Sequence, residues 1–141
     1  MKHWYAAHVI MAAKSKTIGS MVTVFEDVYL VYARGRADAL RKAIAHGRRA
    51  EDRTGLTIDG KAGGLFFEGV RKLVCCAANP FLSGPSEPPR VQDGMEATYN
   101  RYRLSRSQLR RLASGMETEL VYEQEQALRG RRDRQPGARK Q

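Results

Sequence analysis

Cysteine is almost missing from this chain: two residues in 141, and they are neighbours, Cys75 and Cys76. Adjacent side chains on an extended segment point to opposite faces, so a bridge between them would be strained, and a disulfide scaffold is excluded. Two reduced thiols fit a reducing compartment, and a cytoplasmic location is the expectation. No apolar run reaches the roughly 18 residues that a membrane helix needs. The opening residues offer no signal peptide either, because Lys2 is followed by Trp4, Tyr5 and His8 rather than by a continuous apolar core.

Chemically versatile residues are equally scarce. The three histidines are His3, His8 and His46. His3 and His8 lie five apart, on opposite faces of a strand, and His46 belongs to a different segment. Neither C-x-x-C nor H-x-x-x-H spacing occurs, so no metal and no cofactor is expected. There is no G-x-S-x-G elbow, P-loop or dinucleotide fingerprint. The glycines of Gly60-Lys61-Ala62-Gly63-Gly64 suit a phosphate cradle, but the strand–loop–helix context is lacking and the segment reads as a hairpin turn. Glu26 and Asp27 are adjacent and face opposite sides, so they form no catalytic pair. With no catalytic residues to nominate, binding is the expected mode of action.

Positive charge is what the chain has in excess. The formal net charge is +10, on an otherwise ordinary composition of 42% apolar and 28% charged residues. Residues 129–141 hold six cations, including Arg129, Arg131, Arg132 and Arg134, against Asp133 alone. This polar, Pro/Gly-containing tail is expected to be disordered. A second concentration, Arg101, Arg103, Arg106, Arg110 and Arg111, carries no acid within its eleven residues and is interleaved with Tyr99 and Tyr102. Arginines neutralise phosphates and tyrosines stack on bases, so these residues form the candidate polyanion or partner surface. A solvated face with its tyrosines in the core is the plainer alternative.

The pattern along residues 1–128 is that of one domain. Residues 4–13 and 21–33 read as strands joined in an antiparallel hairpin, with Val22, Val24, Val28, Leu30 and Tyr32 on one face and Glu26 interrupting them. An Ala/Leu/Arg-rich helix follows from Ala37, its inner face marked by Ala37, Leu40, Ile44 and Gly47. Leu56–Ile58 and Leu65–Val74 flank an Asp59-Gly60 turn. Residues 77–94 contain four of the five prolines and read as a long surface loop. Residues 95–103 form a further strand. Ser105 and Gln108 then fit a capping box, with Leu104 and Leu109 placed as a hydrophobic staple and Gly115 as the stop. Alternation over 116–124 suggests a last strand, and one long helix over 105–128 competes with it. The order β-β-α-β-β-β-α-β implies an α+β fold, two helices packed on a mainly antiparallel sheet.

Trp4-Tyr5-Ala6-Ala7, Tyr29-Leu30-Val31, Ala39-Leu40-Arg41-Lys42-Ala43, Phe67-Glu68-Gly69-Val70, Asp93-Gly94-Met95-Glu96 and Tyr99-Asn100-Arg101-Tyr102 together resemble a bacterial family, domain of unknown function 4288. The resemblance spans about residues 3–103. It implies a related fold and a bacterial source, and it assigns no activity. The Gly-rich turn at 60–64 and the proline-rich loop depart from the family pattern. Three functions of different class follow from the whole sequence. One is a non-enzymatic module binding a protein partner, in an accessory or antidote role. Another is a nucleic-acid-associated protein using the Arg101–Arg111 face and the tail. The last is an enzyme of unrecognised type working near His8 or Cys75.

Overall fold

The computed structural model of the protein describes residues 1–15, 21–58, 60–76 and 92–120. Among these residues five strands and two helices run in the order β1 (His3–Ser15), β2 (Met21–Ala33), α1 (Arg36–Arg49), β3 (Asp52–Ile58), β4 (Lys61–Cys75), β5 (Met95–Ser105) and α2 (Arg106–Ala113). The strands form one sheet in the order β3-β4-β1-β2-β5, and every neighbouring pair is antiparallel. The fold is therefore α+β, as the patterning implies. The expected last strand does not form over residues 116–120, and the rest of it lies outside the described residues. So do most of the proline-rich loop, Asp59 of the expected turn, and the basic tail.

The central strand β1 is apolar on both faces because both are covered. Tyr5, Ala7, Val9 and Met11 pack with Val31, Ala33 and Leu73 beneath Ala39 and Ala43 of α1. Ile10 and Ala12 pack on the other side with Val22, Val24, Tyr102 and Leu104 beneath Leu109 and Leu112 of α2. The helices thus sandwich the sheet.

α1 keeps Gly47 on its inner face as expected, but the rest of that face is turned from Ala37, Leu40 and Ile44 to Ala39 and Ala43. Ala39, Ala43 and Gly47 face the sheet, whereas Leu40 is 41% exposed. Bulk on the sheet decides this. A β-carbon on Gly47 would run into the Phe67 ring and reach 3.0 Å from Val9 Cγ1, so only the smallest residues allow the helix to sit down. Tyr32 likewise departs from the row of valines: it is partly exposed near the end of β2, its ring 5.0 Å from that of Trp4.

α2 follows the sequence signals closely. Ser105 Oγ accepts the Gln108 N–H and the Gln108 side chain accepts the Ser105 N–H, closing the capping box. At the other end Gly115 adopts φ +75°, Met116 N–H reaches Arg111 O and Gly115 N–H reaches Leu112 O, which stops the helix. A single long helix over 105–128 is thereby ruled out. Gly69 lies beneath this end, where a β-carbon would be 2.5 Å from Ala113 O.

The Asp93-Gly94 motif ties the entry of β5 to the rest of the domain. Asp93 accepts the Tyr32 N–H (2.7 Å) and pairs with Lys42 of α1 (2.7 Å). Gly94, at φ +88°, passes beside the His46 ring, which stacks on Tyr29 at 5.6 Å.

Candidate functional site

The expected arginine surface is divided by the sheet. Tyr102 and Leu104 of β5 point into the α2 core, so alternation sends Tyr99, Arg101 and Arg103 to the opposite side, along a sheet edge. Tyr99 is 57% exposed and lies 6.5 Å from Phe25, open to contact. Tyr102 is 1% exposed and cannot stack on a base. This corrects the interleaved reading: residues 99 and 102 differ by three and must face opposite ways. Arg106, Arg110 and Arg111 are exposed on α2, where the Arg111 guanidinium donates to Glu117 O at 2.7 and 3.0 Å. Arg129, Arg131, Arg132 and Arg134 lie outside the described residues.

The structure gathers Arg106 into a different constellation. At the end of the sheet where β1 leaves Ser15 and β4 begins, a groove of about 510 Å³ is lined by Lys14, Ser15, Arg53, Thr54, Phe66 and Arg106, with Gly63 and Gly64 also on its wall. The three cations come from β1, β3 and the first residue of α2. Lys14 pairs with Glu68, and its ammonium stands 6.0 Å from the Phe66 ring centroid. Arg53 is met only loosely by Glu51, at 3.6 Å. Among the described residues Arg106 has no ion-pair partner. The two glycines need no ligand to explain them, because a β-carbon would strike Lys14 O at Gly63 (2.5 Å) and Asp52 O at Gly64 (2.7 Å).

Across the α2 face of the sheet lies a polar cluster that the sequence reading left apart. Glu26, 2% exposed, occupies the buried row of β2. Its Oε1 accepts from Tyr102 Oη (2.7 Å) and Arg71 Nη1 (2.7 Å), and its Oε2 accepts from His8 Nδ1 (2.7 Å). Burial alone would raise the carboxyl. The hydrogen bonds from His8 and Tyr102 and the charges of Arg71 and His8 outweigh it and hold the pKa at about 2. The carboxylate fixes Nδ1 of His8 as the donating nitrogen. A histidine and a carboxylate do converge here, then, but their companions are an arginine and a tyrosine. Cys75 is exposed and Cys76 half-buried, both as free thiols at the end of β4.

Asp27 faces the other side and hydrogen-bonds Glu96 of β5. Burial, and next the Glu96 charge and hydrogen bond, push its carboxyl up to about 7. Both neighbours that fail to pair with each other therefore find partners elsewhere. Among the described residues no group of three or more His, Cys, Asp or Glu side chains could hold a metal, and no helix is long and apolar enough to cross a membrane.

Compared with protein-family models, with curated proteins and with solved structures, the chain finds no match in any of the three.

Proposed function

We propose that this protein is a binding module for nucleic-acid backbone, acting through the groove at Lys14, Arg53 and Arg106. The convergence of those three cations from three separate segments carries the reading, since surface charge scattered by composition alone gives no reason for them to share one hollow. The net charge of +10 supports it, because phosphate binding gains from the release of condensed counterions. Ser15 and Thr54 add hydroxyls of the kind that contact phosphate oxygens. The Glu26 cluster is internally neutralised and belongs to the scaffold in this reading.

The test is fluorescence anisotropy of the full chain with a labelled 20-nucleotide DNA or RNA at increasing salt. Binding should weaken by at least tenfold between 50 and 200 mM salt, at about the slope expected for three or more phosphate contacts. Arg53→Gln with Arg106→Gln should lower both the affinity and the slope. Absence of binding at 50 mM salt, or a salt-independent affinity, refutes the proposal.

A protein partner is the second reading, favoured by the outer stripe of α1. Ala37, Leu40 and Ile44 border a hollow of about 450 Å³ flanked by Arg41 and Arg48, and Leu40 is 41% exposed. Capture of a single neighbour-encoded protein, unaffected by salt and lost in Leu40→Asp, would favour an accessory or antidote role over nucleic acid. Kinship with domain of unknown function 4288 is proposed on the same footing, from the motifs between Trp4 and Tyr102. Asp93 and Gly94, which open one such motif, have the scaffold role described above.

A further inference from the structure

We infer that the groove accepts a single unstacked nucleotide, which makes the ligand a single-stranded nucleic acid, DNA or RNA, and not a duplex; this rests on the nucleic-acid reading and narrows it. A surface that only tracked phosphate would be a flat or ridged array of cations. Here the cations border a partly open hollow whose volume, about 510 Å³, falls within the range of about 300–1,000 Å³ that small-molecule sites occupy. Its chemistry is also divided. Charge comes from Lys14, Arg53 and Arg106, while Phe66 and Ala62 supply apolar wall and the glycines present backbone without side chains. A ligand that satisfies both parts carries an anionic group and a flat apolar body on one unit. A nucleotide does so, with phosphate on the cations and base against the aromatic ring.

The Lys14 ammonium lies over the half-buried Phe66 ring, 6.0 Å from its centroid, so a phosphate that draws the ammonium aside opens the ring to its own base. Paired bases in a duplex are stacked on their neighbours and cannot enter; an unpaired strand can splay one out. Glu68 is the built-in competitor, because it holds Lys14 and must yield that cation to an incoming phosphate.

The experiment measures the full chain against four labelled 20-mers of one sequence: a DNA strand, an RNA strand, the DNA duplex, and a DNA strand lacking its bases. Binding of either single strand about tenfold or more tighter than the duplex, with the baseless strand falling to the duplex level, is the expected result. Phe66→Ala should abolish the difference between single strand and duplex. Glu68→Gln, which leaves the core intact, should tighten single-strand binding severalfold. Equal affinity for strand and duplex, or for the based and baseless strands, overturns the inference while leaving phosphate binding standing. Failure of all four probes to bind at 50 mM salt overturns both. The DNA and RNA arms identify which strand is preferred, and tight binding of either one supports the groove.

Discussion

Replacing Glu26 by Gln isolates the energy stored in the buried cluster, and the pH dependence of that energy can be worked out beforehand. The carboxyl is held at about 2, against an ordinary value of 4.5. A folded-state value below the unfolded one means that the native carboxylate stabilises the fold above pH 4.5 and loses that contribution as pH falls towards 2. At about 1.4 kcal/mol for each tenfold change in proton affinity, the gap amounts to about 3 kcal/mol. Urea unfolding followed by fluorescence of the single tryptophan, Trp4, measures stability from pH 2 to 7. Wild type should exceed Glu26→Gln by about 3 kcal/mol above pH 5, with the difference shrinking through the acid range and the m-value unchanged. Asp27 acts in the opposite sense. Its carboxyl is raised to about 7, so its contribution declines as pH rises from about 4 to 7, but this occurs in both proteins and cancels in the difference. Arg71→Met should cost about 3–5 kcal/mol at pH 7 by leaving the carboxylate buried with one charge partner fewer, and adding Glu26→Gln should restore part of it. Parallel wild-type and Glu26→Gln curves across the acid range would refute the claim that a charged Glu26 is what Arg71, His8 and Tyr102 hold.

Two further outcomes follow from packing and exposure. Gly47→Ala gains about 1 kcal/mol of helix propensity but forces a methyl against Phe67 and Val9, and overpacking costs about 1–3 kcal/mol, so a thermal melt should show lower stability; a raised Tm would contradict the close α1–sheet contact. Cys75 is exposed, whereas the Cys76 thiol is pushed up by burial and by the neighbouring Cys75. A thiol-exchange reagent at pH 7.5 should therefore react in two phases, the fast one abolished by Cys75→Ser; a single phase would refute the assignment.

Most of the sheet was legible because its signals are local. The period-two rows of 21–33 and the capping box at Ser105 state their own structure, and both form as expected. The same alternation also places Glu26 indoors. A carboxylate in line with Val22, Val24, Val28 and Leu30 has to be buried, and a buried carboxylate has to be paired. Its partners could not be read, because His8, Arg71 and Tyr102 are brought together only by the strand order β4-β1-β2-β5. On α1 the periodicity places Gly47 on the inner face correctly but favours the large residues Leu40 and Ile44, while the bulk of Phe67 on the opposing strand turns Ala39 and Ala43 inward in their place. The groove was invisible because Lys14, Arg53 and Arg106 are separated by dozens of residues.

The short length of α2 connects these features. Eight helical residues span about 12 Å, whereas strands of 11–15 residues extend for about 36–50 Å, so α2 covers only part of the face it packs on. Leu109 and Leu112 fill the covered part. Near its C-terminal end, where Ala113 O meets Gly69, the apolar row gives way to Glu26 and its three partners, which close the sheet with charge and hydrogen bonds instead of hydrocarbon. At its N-terminal end the capping box fixes the first turn, and Arg106 begins the helix beside the groove. The same brief helix thus ends close to a buried ionic cluster on the sheet and presents a cation at its other end. Loosening the Glu26 cluster should therefore weaken the fold without removing any group that faces the groove, which separates the scaffold from the proposed binding surface.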